Sequence, residues 1–220
     1  MSEIKKILVT CFDPFNGASV NPSQLAVAKL SDEIAGIKII KQVIPTIFNK
    51  SVDTLYEVLE KEAPDAVICV GQAGGRPIIT IERVAINVDD ARIPDNAGNQ
   101  PIDIQIFVDG PAAYFATLPI KAMVKNCNDI GIPAAISNTA GTFVCNHLMY
   151  AACHYAALYQ PELKAGFVHI PFIPEQTIDQ PTMPSMSCAN VVKGLTSLIK
   201  TTITVKQDVK TTGGAELFMA

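Results

Sequence analysis

One mostly parallel β-sheet covered by helices on both faces is what this sequence predicts, and three observations carry the prediction. Short Val- and Ile-rich runs without polar alternation recur along the chain, as strands buried on both faces require. They alternate with longer segments of helical period, the signature of strand–helix–strand units. Hydrophobic residues make up 49% of the 220 residues and charged residues only 17%, which supplies apolar surface for a large core.

The elements follow in order. Ile7-Leu8-Val9 is the first strand. Asn21-Pro22-Ser23 opens a helix to about Glu33, with proline in the first turn, where its missing N–H is no loss. A second strand spans Ile37 to Val43. Asn49 or Ser51 starts the helix carrying Val52, Leu55, Val58 and Leu59, which stops before Pro64. Ala66 to Val70 is a third strand, and Gly71-Gln72-Ala73-Gly74-Gly75 a tight loop after it. Residues 76–88 read as one further strand, and 89–111 as a long loop dense in Asp, Pro, Asn and Gly. A helix near Leu118 to Asp129 ends at Gly131, a C-cap. Ala134 to Ser137, a helix from about Val144 to Tyr159, and a strand Gly166 to Ile170 form another unit. A stretch punctuated by Pro171, Pro174, Pro181 and Pro184 leads to a last helix, from about Ser187 to Lys200. Residues from about 206 to 220, through Gly213-Gly214, read as a weakly ordered tail. With no repeat and no low-complexity linker, 1–220 reads as one domain.

Composition excludes several function classes. The net charge is −4 and no Lys/Arg block occurs, so the phosphate neutralisation that nucleic-acid binding needs is missing. The longest uncharged stretch, between Asp129 and Glu162, is broken by Gly131, Pro133, Asn138, Gly141 and Asn146, so it is no membrane span. The segment MSEIKKILVT has no apolar signal core, and a cytoplasmic chain is expected. Six cysteines without a CxxC pair suit free thiols in a reducing compartment.

The strongest local signal for chemistry is Ser137-Asn138-Thr139-Ala140-Gly141-Thr142-Phe143-Val144-Cys145-Asn146-His147. It puts Cys145 at or near the start of a helix, where unpaired amides and the macrodipole favour thiolate and can stabilise an oxyanion. A buried structural cysteine is the plain alternative. A thiol nucleophile needs a base. By helix geometry His147 lies roughly 200° and His154 about 180° round the helix from Cys145, which leaves His169 at a strand end. A structural His169, or a zinc site from Cys145, His147, Cys153 and His154, competes, although those spacings match no standard zinc pattern. In Ile78 to Ile86, period-two alternation sets Glu82 in an otherwise apolar stripe. A half-buried carboxylate there needs a partner, either an imidazole N–H or a cation such as Arg76. The loop GQAGGR could cradle a phosphate but lacks the Walker lysine and the GxGxxG spacing.

Taken together, these segments resemble the pyroglutamyl peptidase I (pyrrolidone-carboxylate peptidase) family of cysteine peptidases. Matching blocks run in register through nearly the whole chain: Phe12-Asp13-Pro14-Phe15 with Asn21-Pro22, then Gly71 to Arg76 with Ile81 to Asn87. Ala91-Arg92-Ile93-Pro94-Asp95-Asn96 with Pro101 follows, then Ser137 to His147, and last His169-Ile170-Pro171 through Pro174-Glu175-Gln176.

The resemblance implies a single three-layer α/β/α sandwich with a mostly parallel twisted sheet, a Glu82–Cys145–His169 arrangement, no metal and no cofactor. It also implies a cytoplasmic homotetramer acting on peptides with an N-terminal pyroglutamyl residue. For that neutral lactam ring it implies a pocket of Phe12, Phe15 and Phe143 with Asn21 and Gln72, and Arg92 beside the oxyanion. Two departures from the family pattern stand near the ring pocket, Cys11 in place of glycine and Asn16-Gly17 in place of a glycine pair. The Pro-rich segment 171–184 is expected to cover part of the site or pack on a neighbouring subunit. The rival readings are another cysteine hydrolase, a redox-active protein of this architecture, or a non-enzymatic protein binding a phosphorylated ligand.

Overall fold

A computed structural model describes residues 4–211. In chain order its elements are β1 (Lys6–Phe12), α1 (Pro22–Ala28), β2 (Glu33–Ile34), β3 (Ile37–Ile44), α2 (Lys50–Glu62) and β4 (Ala66–Gln72). Then come β5 (Ile79–Glu82), β6 (Val84–Ile86), β7 (Ala113–Phe115), α3 (Ile120–Asp129), β8 (Ala134–Ser137), α4 (Val144–Tyr159), β9 (Lys164–Ile170) and α5 (Cys188–Thr204). A seven-stranded sheet runs in the order β2-β3-β1-β4-β9-β5-β8. Neighbours pair in parallel except at β2–β3 and at β9–β5.

Strand alternation sorts the core into two layers, the expected sandwich. Ile7, Val9, Ile68, Val70, Ile79, Ile81 and Val168 face one side with Val27, Met123, Leu195 and Leu198 of α1, α3 and α5. Leu8, Phe12, Val67, Cys69, Ala165 and Phe167 face the other with Leu55 and Leu59 of α2 and Leu148 and Met149 of α4. Helix α4 carries no charge, and 11 of its 16 residues are buried, because it lies directly on the sheet.

Several elements differ from the sequence expectation. Helix α1 stops at Ala28 rather than near Glu33, because Glu33–Ile34 pairs back onto β3. The two-residue turn between them, Ala35-Gly36, has φ of 52° and 78° at its two positions, the hairpin geometry that usually draws Asn-Gly. The expected single strand 76–88 breaks at Arg83. Only Ile79–Glu82 stays in the main sheet, while Val84–Ile86 pairs with β7 in a separate ribbon. Val84 and Ile86 therefore do not share a face of the main sheet with Glu82.

The tail reading also changes where it can be checked; residues 212–220 lie outside the described part. Within it, Asp208 caps a helix whose first amides lie 87 and 86 residues upstream in the chain. The Lys121 and Ala122 amides of α3 donate to its two carboxylate oxygens at 3.0 and 2.9 Å. No side chain of α3's own N-terminal turn does this. Asp208→Ala is expected to cost about 1 kcal/mol and lower Tm by about 2–4 °C, with catalysis unchanged; a thermal melt beside an activity assay checks it.

Candidate active site

Register brings the chemical residues together. His169 on β9 is the partner of Gly71 on β4 and of Thr80 on β5. Residues paired across a sheet point to the same face, so Gly71, Thr80, Glu82, Phe167 and His169 all face the layer of α4. Strands β5 and β8 run opposite to β9, so Glu82 and its partner Ser137 lie toward the amino end of β9. The site sits where strand direction reverses, and residues 138–143 lead from there to Cys145.

His169 and Glu82 are both buried, and the imidazole Nδ1 lies 2.8 Å from Glu82 Oε1. A carboxylate on Nδ1 makes that nitrogen the N–H donor and leaves Nε2 to accept a proton. The same Oε1 accepts from Arg76 Nη1 at 2.7 Å. Burial alone would raise the Glu82 carboxyl, but the His169 hydrogen bond and charge, with Arg76 behind them, hold it below the usual carboxylate range. Glu82 is thus bonded to both partners between which the sequence could not choose.

Cys145 is the second residue of α4 and is partly exposed. A Cβ added at Gly71 would lie 3.0 Å from its Sγ and 2.7 Å from a ring carbon of Phe167. The sulfur therefore rests over the bare backbone of His169's register partner, about one strand spacing of 4.8 Å away. Helix position leads one to expect a lowered thiol pKa. Instead, burial pushes the thiol up to about 12, the Glu82 charge adds to the rise, and Arg76 opposes it. Burial thus works against the thiolate that a helix start favours, and a base that takes the proton as sulfur attacks removes the conflict.

The contact at Gly71 yields a test. Gly71→Ala should displace Cys145 Sγ or Phe167, and a misplacement of about 1 Å costs on the order of 100-fold in kcat/KM. Stability should fall by only about 1–3 kcal/mol. A steady-state assay and a thermal melt on the same variant separate the two.

The other two histidines are committed elsewhere. His147 Nδ1 lies 2.7 Å from Asp89 Oδ2, and its Nε2 accepts from the Asn49 amide at 3.1 Å. His154 Nδ1 lies 2.9 Å from the Tyr114 hydroxyl, with its ring stacked on Phe107. Asn146 follows Cys145 and holds the 86–88 backbone through three hydrogen bonds, a role the sequence did not disclose.

The aromatic residues divide into two groups. Phe143, two residues before the sulfur, packs 6.1 Å from Phe15 and 5.4 Å edge-on from Phe48. Phe12 is buried against Phe167, whose ring lies 4.7 Å from His169. Sequence reasoning missed Phe48, because it lies in a connection between β3 and α2 with no motif around it. Asp13 and Asp95 bind these loops together. Asp13 Oδ1 accepts from the Thr46 amide and hydroxyl, both at 2.7 Å, and Asp95 Oδ2 from the Phe48 amide at 2.9 Å.

Three further residues expected at the pocket have these placements. Asn21 is buried and already occupied: its Oδ1 accepts from the Ser23 amide and hydroxyl, and its Nδ2 donates to the Asp13 carbonyl. It caps α1 and holds the Phe12–Phe15 loop rather than facing a ligand. Gln72 lies on the opposite pleat from Gly71, and its Oε1 accepts from Gln176 Nε2 at 2.9 Å. Arg92 is exposed, two residues past Asp90, whose amide and carbonyl bond Thr142.

The two departures also resolve. Asn16 has φ of 53°, a left-handed conformation that asparagine tolerates best after glycine. Cys11 is buried on the α1 side of the sheet, away from the site face, so it is no part of the ring pocket. The Pro-rich segment lies against the glycine loop, where a Cβ at Gly74 would strike the Phe172 ring. That loop leads into β5 and not into a helix, so it lacks the helix N-terminus of a phosphate cradle.

Residues 5–205 match the family described as pyroglutamyl peptidase. The pyrrolidone-carboxylate peptidase of Alkaliphilus oremlandii is 59% identical over 96% of this chain and 99% of its own length. That of Clostridium perfringens is 53% identical over 96% and 99%. Pyroglutamyl peptidase I from Bacillus amyloliquefaciens superposes with a TM-score of 0.92 at 48% identity, covering 95% of this chain and all of that one. A mutant pyrrolidone carboxyl peptidase from Pyrococcus furiosus gives 0.87 at 41% identity, over 90% and 98%. Fold, site-bearing segments and near full-length identity agree, and the chain belongs to the pyroglutamyl peptidase family, cysteine peptidases that remove N-terminal pyroglutamate.

Proposed function

We propose that Cys145 is the nucleophile, His169 the general base and acid, and Glu82 the residue that orients and charges-balances the imidazole. The observation carrying this reading is the 2.8 Å contact of His169 Nδ1 with Glu82, opposite a sulfur seated over Gly71, His169's register partner. His169 Nε2 takes the thiol proton as sulfur attacks the pyroglutamyl carbonyl, and returns it to the departing amine. Water, deprotonated by the same nitrogen, hydrolyses the thioester. The Val144, Cys145 and Asn146 amides open a helix with no side-chain cap, and they supply oxyanion donors.

The lactam ring packs among Phe15, Phe48 and Phe143, with Phe12 behind. It has no charge, so aromatic faces and neutral backbone groups suit it better than carboxylates would. The described residues form one domain built on one main sheet, and the protein works in the cytoplasm as a homotetramer. Exposed Ile102, Val108, Phe115 and Tyr159 support such an assembly. No described helix is long and apolar enough to cross a membrane. Release of coumarin from a pyroglutamyl conjugate, blocked by a thiol reagent and absent with a free-amino conjugate, tests the reading. Equal turnover of both conjugates would overturn it.

A further inference from the structure

Arg76 reaches the same carboxylate oxygen as the imidazole. Its Nη1 donates to Glu82 Oε1 at 2.7 Å and to Thr80 Oγ1 at 2.7 Å, and its Nη2 donates to the Thr139 carbonyl at 3.3 Å. One guanidinium thereby ties the 73–78 loop to β5 and to the turn ahead of Cys145. Glu82 is fully buried and the Arg76 side chain only 18% exposed, so solvent screens the pair weakly. The other titratable groups facing Glu82 are His169 from β9 and Cys145 from α4. Thr80 and Ser137 are the neutral hydroxyls beside it.

A lone buried carboxylate on Nδ1 would strongly favour imidazolium, and a ring already protonated cannot accept the thiol proton. A cation on the same oxygen cancels much of that field. We propose that Arg76 is a positioning residue of this peptidase: by sharing Glu82 Oε1 with His169 it keeps the imidazole an uncharged base, while its second nitrogen holds the turn that presents Cys145. The inference rests on His169 being the base.

The test is kcat/KM against pH for Arg76→Gln and Arg76→Lys on pyroglutamyl-coumarin. Removing the cation leaves the ring more basic, so the acid limb moves to higher pH, by about one unit. Arg76→Gln should lose about tenfold near pH 6 and recover to within about threefold near pH 8.5. Arg76→Lys keeps the charge, but one ammonium nitrogen cannot occupy the places of both Nη1 and Nη2, so its limb stays in place while the rate falls. A folded Arg76→Gln whose profile superimposes on the wild type, or falls equally at every pH, overturns the proposal. Should Arg76→Gln not fold, Arg76→Lys decides: an unmoved limb with a lower rate supports the proposal, and a displaced limb or an unchanged rate sinks it. Failure of the wild-type protein to release coumarin would instead count against the peptidase assignment itself.

Discussion

Cys145→Ser is expected to leave the fold and melting temperature nearly unchanged and to reduce kcat/KM on a pyroglutamyl conjugate by about 10⁴-fold or more. Oxygen is smaller than sulfur and the side chain meets Gly71, a position without a Cβ, so the exchange overpacks nothing. Chemistry does not. The burial that raises the thiol to about 12 bears on a hydroxyl as well, whose intrinsic acidity is far lower, so His169 has too little driving force to remove its proton. The shorter C–O bond also draws the attacking atom back from a carbonyl held for sulfur. Mass spectrometry of the wild type after a brief substrate pulse should show an acyl adduct on the peptide containing Cys145. A serine variant with more than about one-tenth of wild-type turnover would remove Cys145 from the mechanism.

His169→Ala should cost nearly as much, about 10⁴-fold, because nothing else described can take the thiol proton. His147 and His154 are held by Asp89 and Tyr114. Glu82→Gln should cost less than His169→Ala. The amide keeps the shape but can present an N–H to Nδ1 and reverse the tautomer, and it also strands Arg76 next to a neutral group. The buried pair has a pH signature too. The Glu82 carboxyl lies lower in the folded than in the unfolded chain, so its contribution to stability is present above the unfolded value and fades as acid protonates it. Wild-type Tm should therefore fall more steeply in acid than that of Glu82→Gln. Equal kcat/KM losses for the two variants would mean Glu82 does more than orient the ring.

Much of the fold was written in local pattern. The apolar runs at β1, β4, β8 and β9 and the uncharged stretch of α4 are long-lived signals, because a strand or helix buried all round has no polar face to confuse its period. What local pattern could not supply was pairing. The hairpin of β2 and β3, the break at Arg83 and the capping of α3 by Asp208 depend on contacts with distant chain. Ala35 at positive φ and an uncapped α3 carry no local mark of the partners that stabilise them.

The site divides along the same line. Elimination among three histidines and one interrupted apolar stripe made Cys145, His169 and Glu82 candidates, with a structural cysteine, a structural histidine and an Arg76 ion pair still open, and the family resemblance joined the three. Charge state was another matter. Local rules favour thiolate at a helix N-terminus, but desolvation and a neighbouring carboxylate, which raise the thiol, are set by what packs around the sulfur. Likewise Asn21 has the right chemistry for a ligand, but Ser23 and the Asp13 carbonyl occupy its side chain. Sequence fixes which groups exist and the period that turns them inward. Tertiary structure decides which oxygen two donors share, and how far water is excluded from the reacting pair, because both depend on strands brought side by side from far along the chain.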